Sequence, residues 1–264
     1  MGFSPEQLTY ERRDSLAIIT LNRPEKLNAL GLQLLREFFG ALSEAEGDEN
    51  VRCVLITGAG RGFCSGADLG ENMSQSGASH FEFGAGPMEA FGRIPIAIRH
   101  LNKPSVAAIN GVAAGGGTGI ALACDFRIVS DQARFTTVFL RRSIMPDTGV
   151  TWLLPRLVRI DKALELLLTA DTINAQQMAE YGLATYVVPH DELMDRATEF
   201  AMRIARGPFA LPLTRKAVYQ SLNHDLSTAT EIEGHFANLC ARSEDLKEGV
   251  AAFLEKREPV FTGR

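Results

Sequence analysis

The sequence is poor in cysteine, in long apolar runs and in positive charge. Its four cysteines, Cys53, Cys64, Cys124 and Cys240, are far apart, with no C-x-x-C pair and no histidine at ligand spacing. That pattern excludes a disulfide framework and a zinc site, and the thiols are expected to be reduced and mostly buried. No apolar run reaches the roughly eighteen residues a membrane-spanning helix needs, and the polar opening MGFSPEQLTYERRD does not read as a secretory signal. A soluble, cytoplasmic chain without membrane or nucleic-acid partners is expected, since a net charge of -5 leaves no broad basic face. Three motifs are missing as well. There is no G-x-x-x-x-G-K-[ST] phosphate loop, no G-x-G-x-x-G followed by an acidic residue, and no G-x-S-x-G nucleophile elbow.

The 264 residues, 45% hydrophobic and 22% charged, are enough to bury a large core. Short β-branched runs at 15–21, 51–58, 104–111, 126–130 and 184–189 read as strands covered on at least one face, and helical patterns lie between them. Leu32, Leu35, Phe39 and Leu42 mark one helical stripe. Asn174 with Gln177 forms a capping-box start for a helix stopped at Gly182. The β-α alternation predicts an α/β fold with a core over residues 1–190, and apolar positions at helical spacing predict an all-helical region over 191–264. The Gly- and Ser-rich stretch 70–87 reads as a surface loop before a helix ending near His100, where a cation suits the helix dipole.

Glycine is plentiful in one place. GVAAGGGTGIALACD (111–125) keeps Gly115, Gly116, Gly117 and Gly119 together, an entropic cost that implies close approach to the backbone. Residues 54–69 and 106–125 share one plan of buried strand, small-residue turn and helix start. Two such helix starts facing each other could hold one oxygen that develops negative charge, although glycines also serve simple close packing. Asp147 stands in SIMPDTGVTWLLPRL (143–157) among apolar and small residues. It is either the N-cap of the following helix or a carboxylate in a low-dielectric pocket.

Several ordered motifs, NRPEKLNAL (22–30), GRGFCSGADL (60–69), NGVAAGGGTGIALACD (110–125), GVTWLLPRL (149–157), LTADTINAQQMAEYGLATYVVP (168–189) and FLEKREPVFTGR (253–264), together resemble the enoyl-CoA hydratase/isomerase, or crotonase, superfamily. The resemblance covers nearly the whole chain. It implies a spiral of ββα turns with a C-terminal helical trimerisation region, a homotrimer or homohexamer, and an acyl-CoA thioester substrate whose carbonyl is held by the backbone N–H groups of Ser65 and Gly116. It implies CoA contacts from Arg23, Lys26, Leu27 and Ala67, with Lys256 and Phe261 closing over CoA from the same or a neighbouring subunit. Hydratase members carry two glutamates where this chain has Gly119 and Phe139, so those positions, with Trp152, are expected to line an acyl pocket instead. P-D-x-G-x-T-W-L-L-P-R is similar to the ring-processing and double-bond isomerases, in which an aspartate at the place of Asp147 moves protons. Dehalogenase members use it as a nucleophile, and they carry a histidine absent from 81–99 here. The resemblance favours an isomerase, with a hydratase, hydrolase or dehalogenase using Asp147, or a non-catalytic acyl-CoA scaffold, as alternatives. It implies no metal and no cofactor, because CoA is part of the substrate.

Overall fold

Side chains alternate between the two faces of a strand, so a sheet buried on both sides must find an apolar partner for each set. In the computed structural model, which describes residues 4–70 and 87–264, β1 (Leu8–Arg13), β2 (Leu16–Leu21), β3 (Cys53–Gly58), β5 (Ser105–Ile109), β7 (Phe126–Ser130) and β10 (Tyr186–Val188) form one sheet in that order. Only the β1–β2 pair is antiparallel. Leu16, Ile18, Cys53, Leu55, Val106, Ala108 and Ile128 face helix α7 (Leu193–Ala205), which buries Leu193, Ala197, Ala201 and Ala205 against them. The alternate set, including Ala17, Ile19, Val54, Ile56, Ala107 and Val129, faces the main core with α1 (Leu32–Gly47), α2 (Pro87–His100) and α3 (Gly116–Ala123).

A second sheet holds β4 (Gly62–Cys64), β6 (Val112–Ala114), β8 (Arg134–Thr136) and β9 (Thr172–Asn174). Each of β3, β5 and β7 continues within a few residues into its neighbour in this smaller sheet. That step is the ββα spiral the resemblance implied. The five expected strands are all present within two residues of their expected bounds, whereas β1 and the three-residue strands of the second sheet, β4, β6, β8 and β9, were not anticipated. β1 is an exposed edge strand of mixed polarity, and three-residue strands are too short to show a period.

In α1 the buried face is Leu34, Leu35, Phe38, Ala41, Leu42 and Ala45, so the expected stripe is rotated and Leu32 and Phe39 lie at its half-buried margin. The capping box forms as expected. Gln177 N–H donates to Asn174 Oδ1 at 2.9 Å while Asn174 N–H donates to Gln177 Oε1 at 3.0 Å, starting α6 (Ala175–Glu180). Gly182 follows at φ +80°. α2 ends at His100 as expected, while most of the Gly- and Ser-rich stretch, residues 71–86, lies outside the described residues.

Two helices, α4 (Val150–Leu153) and α5 (Ile160–Thr169), lie between β8 and β9 in the chain. After α7 come α8 (Ala210–Ser221), α9 (Leu226–Cys240) and α10 (Glu244–Glu255). α8 is tied to the core by one carboxylate. Asp125 accepts from Arg215 Nε at 2.7 Å, Tyr219 Oη at 2.6 Å and the Ser105 N–H at 2.7 Å. Among the described residues no helix is long and apolar enough to cross a membrane. All four cysteines are free, and burial pushes the Cys64 and Cys124 thiols up to about 12.

Candidate active site

The two glycine turns meet backbone to backbone. Gly66 follows β4 with φ +94°, and a Cβ there would lie 2.9 Å from the Ala114 carbonyl and 3.1 Å from the Gly116 nitrogen. A Cβ on Gly117 would run into the Cys64 carbonyl. Side chains at either position would force the turns apart, which accounts for the glycines as packing devices. Gly115 caps α3 at φ +50°, so the Gly116 N–H belongs to a first helical turn and has no intrahelical acceptor.

The strand after β4 decides which N–H faces this helix start. Leu30 and Ala67 form an isolated parallel bridge in which the Leu30 N–H donates to the Gly66 carbonyl at 2.7 Å and the Asp68 N–H donates to the Leu30 carbonyl at 3.1 Å. In such a bridge the residue opposite, Ala67, turns its own N–H away from Leu30. No acceptor among the described residues takes it. Ser65 differs, because its N–H donates to the Leu27 carbonyl at 3.0 Å and its hydroxyl to the Lys26 carbonyl at 3.2 Å. This corrects the expectation for Ser65. The N–H with spare capacity beside Gly116 is that of Ala67, and the available sequence signal was the glycine before it in S-G-A-D. Leu30 Cδ1 and Phe91 Cδ1 would stand 3.0 and 3.6 Å from a Cβ on Gly116, so the turn has an apolar border.

A polar brace holds the 23–28 segment on this strand. Asp68 forms ion pairs with Arg23 Nη2 at 3.0 Å and Lys26 Nζ at 2.8 Å. The Arg23 side chain is buried and also donates to the Ala29 carbonyl at 2.7 Å, so it serves the brace. Lys26 keeps a half-exposed side chain. Leu27 and Asn28 both adopt left-handed backbone, at φ +52° and +57°. The buried Asn28 amide donates to the Gly62 and Ala59 carbonyls at 2.7 and 3.0 Å, while its Oδ1 accepts from the Arg23 N–H at 2.9 Å. Asn28 and Asp68 were not singled out from sequence, since nothing local marks a side chain whose partners lie 31 to 45 positions away.

Asp147 lies half-buried in the turn before α4. The cap of α4 is Gly149, at φ +70°, with no side-chain hydrogen bond, so the helix-cap reading of Asp147 is set aside. Its carboxyl makes no hydrogen bond or ion pair with another described residue, and burial pushes its pKa up. α2 links it to the glycine turns: Phe91 borders Gly116, and the next residue, Gly92, would place a Cβ 3.5 Å from the Asp147 carbonyl. A raised carboxyl, unpaired with any other described residue and linked through α2 to two uncommitted N–H groups, can exchange a proton with a bound molecule whose oxygen those groups hold.

The remaining expected positions differ in their surroundings. Trp152 is 42% exposed and stacks on Arg156, whose Cζ lies 3.9 Å from the ring centroid, so it does not line an enclosed pocket in this chain. Phe139 is buried in the main core. The space beside Gly119 is filled by Thr148 instead of opening into a pocket. Lys256 ends α10 at φ +56°, and Phe261 packs on Gly249 with its carbonyl accepting from Arg52 Nη1 at 3.4 Å. Neither shares a described contact with Ala67 or Gly116 in the single chain.

A family model described as enoyl-CoA hydratase/isomerase matches residues 11–264. A 1,2-epoxyphenylacetyl-CoA isomerase of Escherichia coli K12 is 38% identical over 248 residues, 93% of this chain and 94% of that protein. A crotonyl-CoA hydratase of Syntrophomonas wolfei is 37% identical over 261 residues, 98% and 99% of the two chains. A solved enoyl-CoA hydratase from Bacillus anthracis superposes with a TM-score of 0.90 at 35% identity, covering 98% of this chain and all of that one.

Proposed function

Because the chain belongs to the enoyl-CoA hydratase/isomerase family, we propose that it is an isomerase that shifts a double bond or rearranges a ring on an acyl-CoA thioester. The thioester oxygen sits between the N–H groups of Ala67 and Gly116, where charge that develops on enolisation is stabilised by donors already in place. Asp147 removes a proton from the acyl carbon chain, leaving its electron pair as the thioester enolate, and returns the proton at another carbon. The observation that carries this reading is the half-buried Asp147 carboxyl, raised in pKa by burial and unpaired with any other described residue, in a turn that α2 connects to the glycine turns, with Gly119 and Phe139 where a second carboxylate would stand. One group that takes and returns the same proton suits isomerisation, whereas adding water calls for a base and an acid together. The cycle requires no metal or added cofactor.

CoA would run past Lys26 and Leu27, whose carbonyls already join Ser65 at the rim, with the half-exposed Lys26 ammonium next to its phosphates. Lys256 and Phe261 would close over CoA from a neighbouring copy. α8 to α10 support that arrangement, because Val218, Leu222, Leu226, Val250, Phe253 and Leu254 are exposed apolar residues on consecutive helices. Sedimentation is expected to give a trimer or a dimer of trimers, and a stable monomer at micromolar concentration removes the role of Lys256 and Phe261. The reaction is tested on crotonyl-CoA, a β,γ-hexenoyl-CoA and a cyclohexenylacetyl-CoA with product masses recorded. Conserved mass with a moved double bond is the expected result. Added water, freed CoA or unchanged substrate identifies a hydratase, a hydrolase or a scaffold respectively.

A further inference from the structure

The turn that carries Asp147 is seated on glycines contributed by two helices and by the turn itself. A Cβ on Gly119 of α3 would lie 2.6 Å from Thr148 Cβ, 2.7 Å from its Oγ1 and 2.8 Å from its carbonyl oxygen. On the other side, a Cβ on Gly149 would lie 2.9 Å from Cγ of Pro95, inside α2, and Gly92 of α2 leaves the Asp147 carbonyl its room. Atoms this close leave no space for a methyl group at 119 unless the turn moves. The Asp147 carboxyl makes no hydrogen bond to another described residue and is held only by the backbone of its own turn, so the packing of that turn sets its place.

Thr148 is fully buried, yet its Oγ1 has no hydrogen-bond partner among the described residues. A buried hydroxyl left in that state adds nothing to stability through its polarity, so what Thr148 contributes is shape. Its branched side chain fills the space over the bare backbone of Gly119, one helical turn below the Gly116 N–H.

We propose that Gly119 and Thr148 are a matched positioning pair that fixes Asp147 relative to the Gly116 N–H, and that this pairing bars any side chain, a second carboxylate included, from position 119. The pair therefore determines single-carboxyl chemistry as well as the placement of the carboxyl. This inference rests on the proposed role of Asp147.

The test uses steady-state kinetics of the full chain on whichever of the three acyl-CoA esters above is turned over fastest. Gly119→Ala is expected to lower kcat by about thirtyfold or more with KM within about threefold, because the turn shifts while the oxyanion donors and CoA contacts stay. Thr148→Gly, which empties the seat without adding bulk, is expected to lower kcat by about tenfold at unchanged KM, and it carries the test should Gly119→Ala fail to fold. In the double variant the two changes compensate in part, and kcat is expected to be at least about fivefold above that of Gly119→Ala, the non-additivity of residues in contact. Thr148→Val keeps the shape and loses only the hydroxyl, so kcat stays within about threefold and Tm does not fall.

A Gly119→Ala enzyme with native kcat, a double variant no better than the single one, or a Thr148→Val enzyme as impaired as Gly119→Ala each overturns the pairing. Asp147→Asn separates the two claims. If it is inactive while Gly119→Ala is native, the pairing alone fails; if it is active, or if no ester is turned over, the Asp147 reading fails and the pairing falls with it.

Discussion

Asp147→Asn is expected to give a folded protein that still binds acyl-CoA and turns it over at least about a hundredfold more slowly, the scale of a lost general acid/base. The amide keeps the size of the carboxyl and cannot take a proton at working pH. The structure removes the competing explanation for such a loss, because Gly149 and not Asp147 caps α4, so no cap is broken. Stability should move the other way. Burial raises the folded-state pKa of Asp147, so this carboxyl favours the fold below its unfolded pKa, and that contribution disappears as pH rises through the folded value. At neutral pH the buried charge is a cost, and Asn relieves it. Thermal melts should show the Asn variant at least as stable as the parent at pH 7, with the difference shrinking or reversing once the parent carboxyl is protonated. The same shift gives the pH profile of the parent enzyme: kcat/KM declines as pH falls through the raised pKa, at a higher pH than an ordinary carboxylate would set. Near-native turnover by the Asn variant would remove Asp147 from the chemistry.

Ala67→Pro is expected to cost about 10²–10³ in turnover, the effect of removing one oxyanion donor elsewhere. Proline deletes the N–H that the bridge with Leu30 leaves pointing away from that strand. No internal hydrogen bond is lost, since that N–H has no acceptor among the described residues, and the preceding residue is a glycine able to meet the restrictions proline imposes. Ser65→Ala is the control. It removes a hydroxyl that donates only to the Lys26 carbonyl and leaves the Ser65 N–H on Leu27, so turnover should stay near native. Circular dichroism and a thermal melt of Ala67→Pro show whether the fold is kept. A folded Ala67→Pro enzyme with native turnover would remove Ala67 as the donor, and a Ser65→Ala enzyme as damaged as the proline variant would give the Ser65 hydroxyl a role in its place.

The residues differ in how much of their role could be read before the fold was seen. The β-branched runs that became β2, β3, β5 and β7 did so because burial on both faces demands apolar residues along their whole length, and that demand is written locally. The Asn174–Gln177 capping box was equally legible, as both partners lie within one turn. The clustered glycines showed that a backbone approach occurs, and Asp147 stood out as a lone carboxylate among apolar neighbours. Sequence by itself therefore determined five of the strands, the family motifs and the candidate acid/base residue, because each depends on residue types within a short window.

Tertiary structure alone decided between Ser65 and Ala67, two residues apart on one turn. Which N–H is spent depends on carbonyls at Leu27 and Leu30 brought alongside from more than 30 positions away. It also decided that Arg23 closes a brace on Asp68, that Trp152 lies at the surface, and that Thr148 fills the space over Gly119. A hydrogen bond or a packed contact belongs to two segments at once, and neither segment's composition states where the other will lie.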